Sequence, residues 1–531
     1  MTDRSQNLLQ LWNSASELTI GQMSRYRILF DKSKHISSSA WPPTTLVLEI
    51  TNTTSMLFRG AILSGPYNIS ASFVESKYRG VKPEPTLSFP PKMKASIQCG
   101  DTWQVIIDVP TSGIGNWIID ILSEILFTST KVKYDVKLFA TIPKDASIED
   151  EFEITKNILT SDDGTTTTFS SSIEYVFLKN HDLFKLPDLT TLKASDDYHL
   201  IVLTHGIHGT MLDELFLKEA MEEKHKDKNN IFFMSDLLHS YTESGIEACG
   251  KRLSTNLLEY LRWPWDDNRH LISKISFIGH SLGGLINLFL IGYLHSVTEG
   301  KFFSDIKPIN FIAIASPFLG SSDLSWYITA GLRIGIAGQT GKDLALIPQH
   351  KPRSSSNVKN NKKDEPLLLS LAQPNSPSHI TLCKFQCRTI YANVANDVPV
   401  SFRSSALYFH DPLDINLKQT ITIAKQLNHL FKTINPSITT EEFIKRTCQT
   451  KSPIVHDKVY SPSDIPLLDE NEEINISIEE KIARAWHKDM TWRKVFILLE
   501  GDAHTNVIVR RKWLNISGWK VIEHLSNEHE L

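Results

Sequence analysis

The sequence predicts an antiparallel β-rich segment followed by an α/β fold, a mainly parallel sheet with helices on both faces. Three observations carry this. Residues 1–145 hold runs rich in β-branched and aromatic side chains, punctuated by proline. From His199 onward strand patterns alternate with helical ones, the mark of parallel strands joined by crossover helices. Between a strand at residues 275–278 and an apolar helix at 285–294 stands Gly279-His280-Ser281-Leu282-Gly283, a serine at a sharp turn.

At 531 residues the chain exceeds what one ordinary core serves, so two domains are expected. Charged residues make up 22% and hydrophobic ones 41%, a globular balance. A net charge of −4 gives no reason to expect a nucleic-acid partner. Residues Met1, Asp3, Arg4 and Gln6 lack the apolar core of a signal peptide. No run reaches the roughly 18–20 apolar residues that span a bilayer. The five cysteines are scattered and odd in number, which fits a reducing, cytoplasmic setting. Cys383 and Cys387 lack a second pair at zinc spacing and read as structural thiols.

In the first segment, strands are expected at residues 18–30, 44–51, 68–73, 103–109 and 131–140. Lys131 to Leu138 alternates polar and apolar, as a half-buried strand does. Residues 117–127 fit either a strand or a helix. The expected form is an N-terminal sandwich at 1–145. It carries no catalytic constellation and reads as a packing, protein-binding or membrane-binding module. Residues 146–194 turn polar and read as a linker with one strand near 173–177.

The α/β segment, 195–531, opens with a strand at 199–204 and a helix at 212–223. A short strand at 231–234 and a helix at 244–261 precede the serine turn, and a strand at 309–315 follows it. Insertions or a cap are expected at about 321–380 and 409–485. Residues 324–338 are apolar and glycine-rich (Trp326, Tyr327 and Ile328 among them) and read as a buried connector or a mobile cap. Residues 350–364 are Ser-, Asn- and Lys-rich, and 469–473 form an acidic loop. A helix is expected at 417–431. Later come a strand at 385–392, a helix at 478–486 begun by a Ser477/Glu480 capping box, a strand at 494–499 and a helix at 518–525.

A serine hydroxyl needs a base within hydrogen-bond reach, normally a histidine held by a carboxylate. The glycines two residues either side of Ser281 suit a strained turn that lifts Oγ clear of the sheet. In the α/β-hydrolase arrangement the acid and then the histidine follow the serine, each on a loop after a strand. Asp397 follows the strand at 385–392, and His504 follows the strand at 494–499. Asp411 and Asp414 compete with Asp397, whereas Asp502 stands two residues before His504 and orients its loop. An oxyanion hole needs two backbone N–H groups. One is that of Leu282; the other comes from Gly206 or Ile207, in the loop after the strand at 199–204. The spacing of His205 and His208 is not that of a helical metal pair, so neither a metal nor a cofactor is expected.

The motifs HGIHGT, GHSLGG, ASPFLG, YANVANDVPV and DAHTNVIVRR resemble the serine-esterase family of fungal and plant lipase-like proteins. The branch they resemble is that of yeast-type monoacylglycerol lipases and phospholipases. The resemblance implies an α/β-hydrolase fold, hydrolysis of acylglycerol or phospholipid esters, and Ser281, Asp397 and His504 as the triad. Many relatives carry histidine where this chain has Phe318, so no proton-transfer role falls there. The expectation is a cytoplasmic lipase in peripheral contact with a membrane or lipid-droplet surface. The alternatives are a protein-acyl thioesterase or acyltransferase using the same residues, or a lipid-surface adaptor with a vestigial triad.

Overall fold

The computed structural model describes residues 7–19, 21–34, 43–59, 67–76, 91–123, 131–142, 159–161, 165–193, 197–238, 240–263, 271–321, 337–348, 365–408, 452–467 and 476–531. They form two compact units, one from residues up to Lys185 and one from Leu186 onward.

The first unit is built from β1 (Asn7–Thr19), β2 (Met23–Asp31), β3 (Thr45–Asn52), β4 (Ile69–Glu75), β5 (Lys92–Ile97), β6 (Thr102–Asp108), β7 (Ile114–Ser123), β8 (Lys131–Ile142), β9 (Leu159–Thr160), β10 (Thr166–Thr168) and β11 (Ile173–Leu178). Among the described residues they form two antiparallel sheets, ordered β6-β3-β8-β1-β10-β9 and β11-β2-β7-β4-β5. Trp12, Ile50 and Tyr134 from the first sheet share one buried cluster with Tyr26, Phe73 and Trp117 from the second. The expected single strand at 18–30 is broken at Gly21, whose φ of 74° turns the chain from one sheet into the other. Burial alternates along β7, so the ambiguous stretch at 117–127 follows the period of a strand as far as Ser123.

The polar stretch at 146–194 is more than a linker. Strand β10 pairs with β1 and β11 with β2. The run of threonines and then Ile173, Tyr175 and Val176 supply β-branched and aromatic side chains that suit a pleated edge. The strand expected near 173–177 is β11, and overall polarity hid only the threonine strand β10.

The second unit holds β12 (Tyr198–Thr204), β13 (Asn230–Met234), β14 (Ile272–His280), β15 (Lys307–Ile314), β16 (Cys387–Asn393), β17 (Ile454–Tyr460) and β18 (Trp492–Ile497). Their order is β13-β12-β14-β15-β16-β18-β17, parallel throughout except that β17 runs antiparallel to β18. This is the α/β-hydrolase pattern of a mainly parallel sheet, with helices Leu215–Lys224, Ile246–Tyr260, Leu282–Val297, Ile478–His487 and Trp519–Glu528 against it. Every residue of β12 is buried, as in a strand covered on both faces. Helix Leu282–Val297 is apolar nearly all round because helices Ile246–Tyr260 and Pro377–Cys383 pack against it. A Cβ on Gly292 would lie 2.3 Å from Ser378 Oγ, so glycine sets that close approach.

Parts of both expected insertions belong to the core. Leu368, Leu371 and Ala372 are buried with the main cluster, as are Ile482 and Ala483 of the helix Ile478–His487. That helix is capped by Ser477, whose Oγ accepts from Glu480 N at 3.2 Å. Strand β17 lies inside the expected 409–485 insertion but pairs with β18. Its sequence is half-polar, which suits an edge strand and conceals it from a search for apolar runs. The segments 350–364, 417–431 and 469–473, together with Asp411, Asp414, Trp326, Tyr327 and Ile328, lie outside the described residues. Among the described residues no helix is long and apolar enough to cross a membrane.

Candidate active site

Strand β14 ends at His280 and a helix starts at Leu282, so the turn between them is a single residue. Ser281 takes φ 55° and ψ −126°, a strained conformation for any side chain larger than hydrogen. Its N–H donates to Ile314 O at 2.8 Å, and its carbonyl accepts from Gly284 N at 3.2 Å. A Cβ on Gly279 would fall 2.5 Å from Gly284 N, and one on Gly283 would fall 1.9 Å from Thr204 O. The turn therefore closes only with glycine at both places. The helix Leu282–Val297 begins at the serine, and its first N–H groups and positive dipole end face the region beside Oγ.

The loop after β12 runs directly past this turn. A Cβ on Gly206 would lie 2.8 Å from Ser281 Cβ and 3.2 Å from Oγ, so any side chain there would press on the serine. Next along that loop, Thr210 N donates to Asp213 Oδ2 at 3.2 Å and His208 N donates to Thr242 Oγ1 at 3.0 Å. Asp213 also accepts from Arg510 Nε at 2.9 Å and from an Arg511 guanidinium nitrogen at 3.0 Å. Burial pushes the Asp213 carboxyl up, but Arg511 and Arg510 outweigh it and hold the pKa at about 2. The Asp213 carboxylate thus fastens the β12 loop to the segment that follows His504.

The loops after β16 and β18 meet one another. His504 Nδ1 lies 3.0 Å from Asp397 Oδ1 and 3.1 Å from Oδ2. With Nδ1–H donating to the carboxylate, Nε2 is left as the basic nitrogen. The Asp397 side chain is only 3% exposed, and both oxygens are satisfied: Oδ1 accepts from Val400 N at 3.0 Å and Oδ2 from Asn393 Nδ2 at 2.8 Å. The same Asn393 nitrogen donates to Ala503 O at 3.2 Å, and Ala503 N donates to Asn396 O at 3.1 Å. On its other side His504 rests against His280. Their ring centroids are 4.7 Å apart, and His280 Nε2 donates to His504 O at 3.0 Å. Burial and the neighbouring His504 push the His280 imidazole well below its ordinary pKa, so it stays neutral.

The structure thus brings Asp397 and His504 into hydrogen-bond contact, sets His504 against the residue preceding Ser281, and lays Gly206 on Ser281 itself. No hydrogen bond joins Ser281 Oγ to His504. Such contacts in ligand-free sites commonly tighten only with substrate. Asp502 stands apart from the pair and accepts from Thr505 Oγ1 at 2.8 Å. His205 and His208 turn to different partners, Gly206 O and Glu243 respectively. Phe318 is buried edge-on against Trp492. An open hollow of about 730 Å³, lined by residues such as Gly245, Lys251 and Lys342, includes none of these residues. Sequence reasoning missed Asn393, His280, Asp213, Arg510 and Arg511. The detectable signal for Asn393 was an amide closing the strand that leads to the candidate acid.

Residues 194–407 match the family model described as "Putative serine esterase (DUF676)". The chain is 29% identical to "Putative lipase ROG1" of Saccharomyces cerevisiae, over 98% of this chain and 83% of that one. It is 29% identical to "Putative lipase YDL109C" of the same yeast, over 98% and 88% of the two chains. "Putative lipase C4A8.10" of Schizosaccharomyces pombe is 24% identical, over 91% and 74%. The strained serine turn lies within the residues that match this serine-esterase family model, and the chain is a carboxylic ester hydrolase.

Proposed function

We propose that the protein is a serine lipase that cleaves acylglycerol or phospholipid esters with Ser281, His504 and Asp397 as its triad. The observation that carries this is the Asp397–His504 contact at 3.0 Å, beside a serine held at positive φ. Ser281 Oγ attacks the ester carbonyl while His504 Nε2 takes its proton. Asp397 keeps the ring in the right tautomer and stabilises the imidazolium. The oxyanion receives N–H groups from Leu282 and from Gly206 or Ile207. His504 then protonates the leaving alcohol, and water activated by the same nitrogen releases the acid. No cofactor takes part.

The relatives named as lipases support a lipid substrate, and Phe318 leaves the triad as the proton-handling group. We take the first unit to be a β-sandwich that meets a membrane or lipid-droplet surface from the cytoplasm. The test is a fluorophosphonate probe on the full chain, with the adduct located by mass spectrometry. Labelling at Ser281, lost in Ser281→Ala and accompanied by fatty-acid release from monoacylglycerol or phospholipid, is the expected result. Labelling elsewhere, or none with a folded chain, rejects the triad.

A further inference from the structure

We propose that the tip Met56-Leu57-Phe58 of the first unit inserts into a lipid surface. This rests on the lipid-ester reading above. The three residues form a single 3-10 turn after β3, and they are 63%, 91% and 41% exposed. One exposed leucine is ordinary; three consecutive large apolar side chains held in water are not.

The turn is braced rather than slack. Ser55 Oγ accepts from Leu57 N at 3.4 Å, Ser55 O accepts from Phe58 N at 3.0 Å, and Met56 O accepts from Arg59 N at 3.1 Å. Arg59 locks the exit by donating to Gln98 Oε1 at 3.1 Å and pairing with Asp101 at 2.9 Å. At the base, buried Asn52 donates to Tyr67 O at 2.7 Å and Ile97 O at 3.0 Å. The Phe58 ring leans on Tyr67, with centroids 4.8 Å apart. Met56 fills the space beside Gly100, where a Cβ would come within 3.0 Å of it. Leu57 is left as the point of the wedge.

The size of the tip chooses the occupant. Three partly exposed side chains present a few hundred Å² at most, well short of the roughly 800 Å² that each partner gives to a stable protein interface. A lipid surface needs no complementary pocket, and a few inserted apolar side chains give it reversible binding. Arg59 is neutralised by Asp101, so the attraction is apolar and salt does not weaken it.

The experiment is co-sedimentation of the full-length chain with phosphatidylcholine vesicles at low and high salt, comparing wild type with Leu57→Asp. Ser281→Ala serves as the control for the catalytic reading. Wild type and Ser281→Ala should bind equally and independently of salt, and Leu57→Asp should lose about tenfold or more in partitioning. Turnover of a soluble short-chain ester and the melting temperature of Leu57→Asp should match wild type. Equal binding by Leu57→Asp, no binding by wild type, or binding abolished by salt overturns the proposal. So does a change of oligomeric state in Leu57→Asp, which would make the tip a subunit contact. Vesicle binding without esterase activity would sink the catalytic reading and leave this one standing.

Discussion

Asn393 ties Asp397 to the loop that carries His504: one amide nitrogen donates to Asp397 Oδ2 at 2.8 Å and to Ala503 O at 3.2 Å. Its Oδ1 is buried without a hydrogen-bond partner among the described residues, a destabilising feature in an otherwise satisfied site. Replacing it by leucine, which keeps the branched shape and removes both N–H donors, should lower kcat for a soluble ester about 10–100-fold. KM should change little. Asn393→Asp should be worse than Asn393→Leu, because two carboxyls at hydrogen-bond distance cannot both stay ionised. A melting scan separates this from unfolding; equal kcat in wild type and Asn393→Leu would refute the positioning role.

For the triad itself, Ser281→Ala and His504→Ala should each reduce kcat by about 10⁶-fold, and Asp397→Asn by about 10⁴-fold. Asp411→Asn and Asp414→Asn should be nearly silent. If Asp411→Asn abolishes turnover while Asp397→Asn spares it, the acid has been assigned to the wrong loop.

The two glycines nearest the nucleophile should fail differently. A methyl at Gly283 meets the Thr204 carbonyl at 1.9 Å, a backbone clash inside the sheet, so Gly283→Ala should express poorly or melt well below wild type. A methyl at Gly206 meets the Ser281 side chain at 2.8 Å, with the nearest backbone atom at 3.5 Å, so the serine side chain takes up the clash. Gly206→Ala should fold and lose about 100-fold in kcat by displacing the attacking atom. A Gly206→Ala enzyme with normal turnover would show that the added methyl does not displace Ser281.

Stability should fall in mild acid. Burial pushes the imidazole of His199 down to about 4 and those of His487 and His529 down to about 3. Folded values below the unfolded one of about 6.5 mean that the unfolded chain takes up protons first. Stability is therefore full above pH of about 6.5 and declines as pH falls toward the folded values, by up to about 1.4 kcal/mol per histidine per pH unit. Urea midpoints at pH 7.5 and 5.5 measure this. His529→Gln should flatten the slope; midpoints that do not move with pH would contradict it.

Much of this was readable from local chemistry. Glycines around a serine, with a strand before and a helix after, define a backbone constraint that sequence states directly. The pairing of Asp397 with His504 was legible because each follows an apolar strand. Strand β17 was not, since an edge strand needs no apolar run, and β10 was masked by the polarity around it. Asp213 and Arg510 lie 297 residues apart, and nothing local to either announces the other. Their pairing exists only once β12 and β18 have taken their places in one sheet.

That separation has a consequence for how the enzyme is made. Asp397 and His504 stand 107 residues apart, and the β12 loop is fastened by arginines that follow His504. A ribosome-bound chain that has just released Ser281 still lacks Ile314, whose carbonyl accepts from the serine N–H, and both Asp397 and His504. With the proposed triad, ester hydrolysis should begin only after residue 511 has left the exit tunnel, which leaves the protein inert for most of its own synthesis.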